Sequence, residues 1–337
     1  MAGRLWLMAA VLAAAGVSDP LAIVRPTVNL SPVERARLDR SELLSRVLPA
    51  RKGQVAVFAA TGVSADASTL AAAATDITDL KKSSFVTAIQ RFSDPPQLSD
   101  LDALTLDQHD VDVLERCEVG RCSFKLAAIE IEAIGLARYG DANGRQVTAA
   151  LRRVMLDRAR AYLSAGLASL PPIANRSRPW QLHEVLGAAL DQSPLLLRQP
   201  PLMAWLRDER VTERVDSFLY WSKEHFGSGK PVILITHVAI YQPSEDVAVV
   251  VGKQIFASRY LNGAVSMTAV TAAPSGERYL VYLNRSTVDL LEGFWGGFAR
   301  AEIESRLSKR VPELVARLRD RLERSHHATR SDRLRHY

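Results

Sequence analysis

Two cysteines in 337 residues, seven histidines and a single long apolar run are all that this chain has of three informative features. Two cysteines cannot build the multi-bridge framework of a small disulfide-held scaffold, and they supply only half of a four-thiolate zinc site. His326, His327 and His336 belong to a polar tail, and no pair among His109, His183, His225 and His237 has metal-ligand spacing, so no metal is expected. No GxSxG, HExxH, GxGxxG or DxDxDG stretch occurs. A nucleophile elbow, a zincin site, a dinucleotide fold and a calcium loop therefore lack local support, and no cofactor is expected. "FGSGKP" holds Gly227, Gly229 and Lys230 but lacks the spacing and terminal hydroxyl of a phosphate loop. Beyond the first residues no segment approaches ~20 uninterrupted apolar residues, so no internal membrane span is expected.

The one long apolar run stands at the start. In "MAGRLWLMAAVLAAAG", Arg4 precedes an apolar stretch from Leu5 to Val17, with small residues at Ala14, Gly16 and Ser18. This is the pattern of an export signal, too short to span a bilayer comfortably. Residues 1–20 are read as that signal, which places the mature protein in the periplasm or outside the cell. An oxidising location suits a disulfide between Cys117 and Cys122 in "RCEVGRCSF", where Val119-Gly120 can turn a hairpin over residues 110–126. Two reduced core thiols are the alternative.

Charge is uneven. The chain carries a formal +6, and from Arg300 to Tyr337 there are 11 Lys or Arg against 6 Asp or Glu. Such a tail could touch an anionic membrane surface, or be no more than a solvated helix face and a frayed end. It has few aromatic residues for base stacking, so no nucleic-acid partner is expected.

Periodicity predicts an α+β fold, an antiparallel sheet packed against a long C-terminal helix, with a helical middle section over residues 127–226. Ser31 and Pro32 open a helix through "VERARLDRSELLSRVL". "VAVFAATGV" reads as a buried strand and "DASTLAAAATDITDLKKS" as helix. After Gly229 four β-rich runs follow, "PVILITHVAIY", "DVAVVVGKQIFASRYL", "GAVSMTAVTA" and "RYLVYLNRS", joined by short turns that favour antiparallel pairing. Trp295, Ala299, Ile303, Leu307, Val311, Leu314, Leu318 and Leu322 then form one apolar stripe on a helix of about 28 residues, which Pro312 should kink or split. Residues 21–325 are read as one domain and residues 326–337 as a flexible basic tail.

Strand order before a long final helix resembles the carboxyl half of START-like helix-grip domains, in which a curved antiparallel sheet wraps the last helix around a cavity for apolar molecules. "YLVYLNRSTVDLLEGFWGG" and "GKQIFASRYL" also resemble segments of an uncharacterised exported proteobacterial family. The likeness covers about a third of the chain and implies a binding protein for a lipid-like or other apolar small ligand. A cavity enzyme of hydrolase or cyclase type, with His237 as base, is the alternative, and a cell-envelope scaffold a third. By alternation His237 shares a face with Ile233, Ile235, Ala239 and Tyr241, as a satisfied interior histidine or as a cavity-wall group. The expected ligand-binding set is His237, Phe256, Tyr260, Met267, Tyr282, Asn284 and Trp295, beneath the final helix. Lys253 and Arg259 must find water, an internal partner or a ligand, because burying either alone is penalised by desolvation.

Overall fold

The computed structural model describes residues 19–25, 27–137, 144–208, 214–225, 229–292 and 296–335. Among them β-branched and aromatic runs form eight strands: β1 (Leu44–Leu48), β2 (Gln54–Gly62), β3 (Val86–Arg91), β4 (Asp216–Glu224), β5 (Val232–Ser244), β6 (Val247–Ala257), β7 (Leu261–Ala272) and β8 (Arg278–Val288). They make one antiparallel sheet in the order β1-β2-β8-β7-β6-β5-β4-β3. β5 to β8 follow one another through short turns and pair in sequence, as their spacing predicts.

Among the described residues ten α-helices cover the two faces: α1 (Pro32–Asp39), α2 (Ala67–Thr75), α3 (Ile77–Leu80), α4 (Gln108–Glu115), α5 (Ala128–Ala137), α6 (Arg145–Ala165), α7 (Leu182–Asp191), α8 (Pro194–Leu197), α9 (Pro200–Leu206) and α10 (Gly296–Arg335). The largest core cluster joins one sheet face, including Phe58, Trp221, Ile235 and Met267, to residues of the helical section such as Leu114, Ile134, Leu151 and Leu186. The opposite face carries smaller apolar clusters beneath α2, α3 and α10. Leu21, Ile23 and Val24, in a short 3-10 helix, belong to the main core. Among the described residues no helix is long and apolar enough to cross a membrane.

Several boundaries differ from the sequence expectation. Ser31 and Glu34 form a reciprocal capping box at α1, but the helix ends at Asp39 and "LSRVL" pairs with β2 as an edge strand. Leu44 and Leu48 are four apart, a spacing that satisfies both helical and strand periods, and pairing decided between them. The span 127–226 is not all helix. It ends in β4, whose "DSFLYWSKE" has strong strand propensity and pairs along its length with β5. Helical structure also begins earlier, with α4 replacing the first limb of the expected hairpin. The hairpin shrinks to the Glu118–Arg121 bridge, closed by a Cys117–Cys122 disulfide with S–S 2.01 Å and Cα atoms 4.6 Å apart.

The final helix is longer than expected, 40 residues, and Pro312 lies within it without ending it. Its buried stripe is Val311, Val315 and Leu322, with Ile303, Leu307 and Leu318 partly buried, whereas Leu314 is 49% exposed. The expectation that Leu314 points inward is corrected by one position, to Val315. Accordingly Leu322→Ala should cost about 2–5 kcal/mol, the loss typical of a buried leucine. Leu314→Ala should stay within about 0.5 kcal/mol, as for an exposed site. Urea unfolding of the two variants checks this, and equal losses would place Leu314 in a packed interface.

Candidate functional site

The sheet is curved around α10. On one side of that helix Arg319 Nη1 lies 3.3 Å from the Ser41 carbonyl and Arg300 Nη2 lies 3.4 Å from that of Arg51, beside β1 and β2. On the other side the Arg310 guanidinium stands 4.8 Å over the Phe85 ring, before β3, and Arg321 donates to the Leu80 carbonyl of α3. Burial holds the Tyr282 phenol up at about 12, with Lys81 opposing and Glu224 and Tyr220 adding to the shift. Tyr282 is on β8, Tyr220 and Glu224 are on β4, and three strands intervene. α10 reaches residues beside both edges of the sheet, β1 and β3, so the face beneath it is a trough.

Apolar clusters occupy parts of this trough. One unites Val57, Ala248, Val270 and Leu280 with Val311, Val315 and Leu322, and another joins Val55, Val288 and Leu291 to Ile303. Between them the sheet turns polar. Register places Thr268 against Tyr282, and Ser266 against Asn284 and Gly252. Thr236 lies beside this row, because a Cβ on Gly252 would sit 2.7 Å from Ser266 Oγ and 3.4 Å from Thr236 Cγ2. Glycine at 252 is what lets the Ser266 hydroxyl stand there. Ser266, Thr268, Tyr282 and Asn284 are half-buried rather than sealed. The Asn284 amide oxygen accepts from Ser286 Oγ at 2.8 Å. No described residue is a hydrogen-bond partner for the side chains of Thr236, Ser266, Thr268 or Tyr282, or for the Asn284 amide nitrogen. At the trough wall Lys81 Nζ meets Glu224 Oε1 at 2.5 Å and Tyr220 Oη at 3.2 Å, and Ser222 donates to the same carboxylate.

The other face holds a different polar group. His237 Nδ1 is 2.7 Å from the Tyr162 hydroxyl, with the Trp205 ring at 5.1 Å, and Nε2 has no partner among the described residues. Lys253, fully buried, donates to the Leu206 carbonyl at 2.7 Å and stands 3.7 Å from Asp208. It thereby ties the last residue of α9 to the sheet. Burial, assisted by the Lys253 charge, pushes His237 down to about 3. Burial also pushes Lys253 down to about 8, with Asp208 acting in the opposite direction.

This has a consequence for acid stability. The native state keeps His237 neutral, whereas the unfolded chain takes up a proton near the ordinary histidine value of about 6.5. The contribution is fully present above pH 6.5 and is lost as pH falls toward 3, at about 1.4 kcal/mol per unit for one group. Between pH 6.5 and 5 the loss should reach about 2 kcal/mol. His237→Gln should flatten that slope, and an unchanged slope in urea titrations at the two pH values would refute the assignment.

Two further buried ion pairs and one half-buried pair fasten the helical layer to itself and to the sheet ends. Arg158 Nε and Nη2 each meet a Glu130 oxygen at 2.6 Å. Arg259 meets Asp110 at 2.6 Å, and Lys125 meets Asn262 at 2.7 Å and Asp289 at 2.5 Å. Asp289 thus takes Lys125 as its partner. A cavity of about 10 Å³ beside Lys125 and Asn262 has room for one water. An open groove of about 600 Å³ runs past Lys223, His225 and Lys230 at the end of β4.

The expected ligand-binding residues divide between these places. Tyr282 and Asn284 face the trough. His237, Phe256 and Met267 face the helical section on the opposite side of the sheet, so they do not line a cavity under the final helix. Val265 of β7 likewise faces the helical section. Tyr260, with φ +62°, makes the tight β6–β7 turn, and its hydroxyl accepts from the Lys230 amide at 3.1 Å. Trp295 lies outside the described residues, as do residues 1–18 of the expected signal. The trough residues Thr236, Ser266 and Thr268 were missed, although their signal was legible. Each is a polar residue at a period-two position in a strand whose alternate positions are apolar.

Among the described residues no group of three or more His, Cys, Asp or Glu side chains could hold a metal ion. An eight-stranded antiparallel sheet with a long C-terminal helix along its concave face defines an α+β protein of generally helix-grip-like architecture. The chain matches no protein-family model, no curated protein and no solved structure.

Proposed function

We propose that this is an exported binding protein of START-like type, which holds a small lipid-like or amphiphilic ligand between its curved sheet and α10. One observation carries the reading. Five hydrogen-bonding side chains, Thr236, Ser266, Thr268, Tyr282 and Asn284, stand without a full set of protein partners on a sheet face flanked by apolar clusters. A face whose only task was to support α10 would be cheapest if covered with apolar side chains throughout. Small-molecule sites combine apolar walls with a few convergent polar groups, and this trough has both.

Export fits the amino-terminal pattern and the disulfide, and removal of residues 1–20 would leave the core residues Leu21, Ile23 and Val24 in place. The basic end of α10 would let the protein approach an anionic membrane surface. The cavity-enzyme alternative gains nothing from His237, which is 6% exposed, faces the other layer and is held neutral.

The test is native mass spectrometry and lipid extraction of protein purified from the periplasm, with binding of a fluorescent fatty acid analogue measured alongside. Asn284→Trp should fill the trough and abolish retention at an unchanged melting temperature. Wild-type protein that carries and binds nothing, or an Asn284→Trp variant that binds normally, would reject the reading.

A further inference from the structure

The hydroxyl-lined part of the trough has a chemistry more specific than that of a lipid pocket. We infer that it receives an uncharged, hydroxyl-rich group, a sugar or the sugar head of a glycolipid, on the face formed by Thr236, Ser266, Thr268, Tyr282 and Asn284. The inference rests on the binding function proposed above and adds the class of the ligand's polar end.

Charge points that way first. None of the five side chains is ionised at neutral pH, and the two charged side chains at the wall, Lys81 and Glu224, neutralise one another at 2.5 Å. Glu224 also accepts from Ser222, and Lys81 also donates to Tyr220, so both are engaged within the protein. A phosphate or carboxylate head would find no free cation on the strip itself, and a cationic head no free carboxylate. The Arg310 guanidinium at the rim is stacked over Phe85, outside the row.

The kind of group agrees. Four of the five are hydroxyls, each able to donate once and accept twice, and the fifth is an amide with its nitrogen left to donate. A ligand satisfying such a set must itself present several groups that both donate and accept, and neighbouring hydroxyls of a sugar do this. Placement agrees as well. Thr268 with Tyr282, and Ser266 with Asn284, are directly paired across β7 and β8, so their Cβ atoms stand about 5 Å apart. The result is a lattice of short side chains with one phenol at its edge, over which a sugar ring can lie. Gly252 keeps the floor low under Ser266.

The experiment compares four probes on the full-length mature protein by native mass spectrometry and titration: glucosyl-diacylglycerol, diacylglycerol and phosphatidylglycerol, all with the same acyl chains in detergent micelles, and a free neutral disaccharide. Glucosyl-diacylglycerol should be retained at least about tenfold better than either other lipid, the equivalent of one or two neutral hydrogen bonds. Ser266→Ala combined with Asn284→Ala should erase that preference. Tyr282→Phe, which keeps the ring, should reduce the preference about threefold or more and guards against a misfolded double variant. Binding of the disaccharide alone would identify a free sugar as the source, and its absence beside glycolipid binding would identify the lipid head. Equal retention of diacylglycerol, or preference for phosphatidylglycerol, would overturn the inference while leaving the trough as a lipid site. Failure of all four probes to bind would overturn both.

Discussion

A chain ending at Glu292 should yield no folded protein. α10 supplies Val311, Val315 and Leu322 to a buried cluster with Val57, Ala59, Val270 and Leu280, and Ile303 to a second with Val55, Val288 and Leu291. Fully burying an aliphatic side chain contributes about 1.5–3 kcal/mol, so the three buried residues alone represent about 5–9 kcal/mol. The whole stability of a typical domain is about 5–15 kcal/mol. Truncation would also uncover the apolar sheet face that these side chains cover, which favours aggregation. The expected result is insoluble expression, or a soluble product with no cooperative melt. A truncated protein melting cooperatively at the wild-type temperature would show α10 to be peripheral.

The second large effect belongs to Arg158 and Glu130. Both nitrogens of the fork meet the carboxylate at 2.6 Å, and Glu130 Oε2 also accepts from the Ala127 amide at 2.7 Å. The guanidinium further stands 5.2 Å over the Phe256 ring. Arg158→Met should cost about 3–5 kcal/mol, because it leaves a carboxylate buried without its cation. Adding Glu130→Leu should recover most of that loss, since replacing a whole buried pair by apolar groups of like volume is near neutral. Denaturant midpoints of the single and double variants make the measurement. A single variant within about 1 kcal/mol of wild type would mean that water reaches Glu130 and the pair behaves as a surface one.

That pair shows how the sequence could be read and where it stopped. A 3.6-residue period puts Arg158 and Tyr162 on the same face of α6 as Val147, Leu151 and Val154, and all five are buried. Period could say that Arg158 would be buried, but not that Glu130, 28 residues earlier, would meet it. Lys253 and Arg259 were recognisable as needing partners. The partners are the Leu206 carbonyl with Asp208, and Asp110. Each lies far away in the chain and is brought near only by the docking of the helical layer.

Edge strands were the least legible elements. β1 and β3 have five and six residues with mixed burial, and a short half-covered strand leaves too few periods to tell its repeat from a helical one. β5 to β8, at 11 to 13 residues with buried faces, left no such ambiguity.

Local chemistry by itself determined the α+β class, the meander of four long strands, the amphipathic final helix and the disulfide. Each depends on residues a few positions apart, whose spacing selects a backbone period or a turn. Tertiary structure alone decided which sheet face each residue would serve. His237, Phe256 and Met267 have the residue types of a ligand pocket yet face the helical section, while Tyr282 and Asn284 share the trough with Thr236, Ser266 and Thr268. In a strand, neighbouring residues point to opposite faces. Alternation can therefore say which residues stand together, but the choice of side depends on which face α10 covers, and that contact joins parts of the chain no local rule relates.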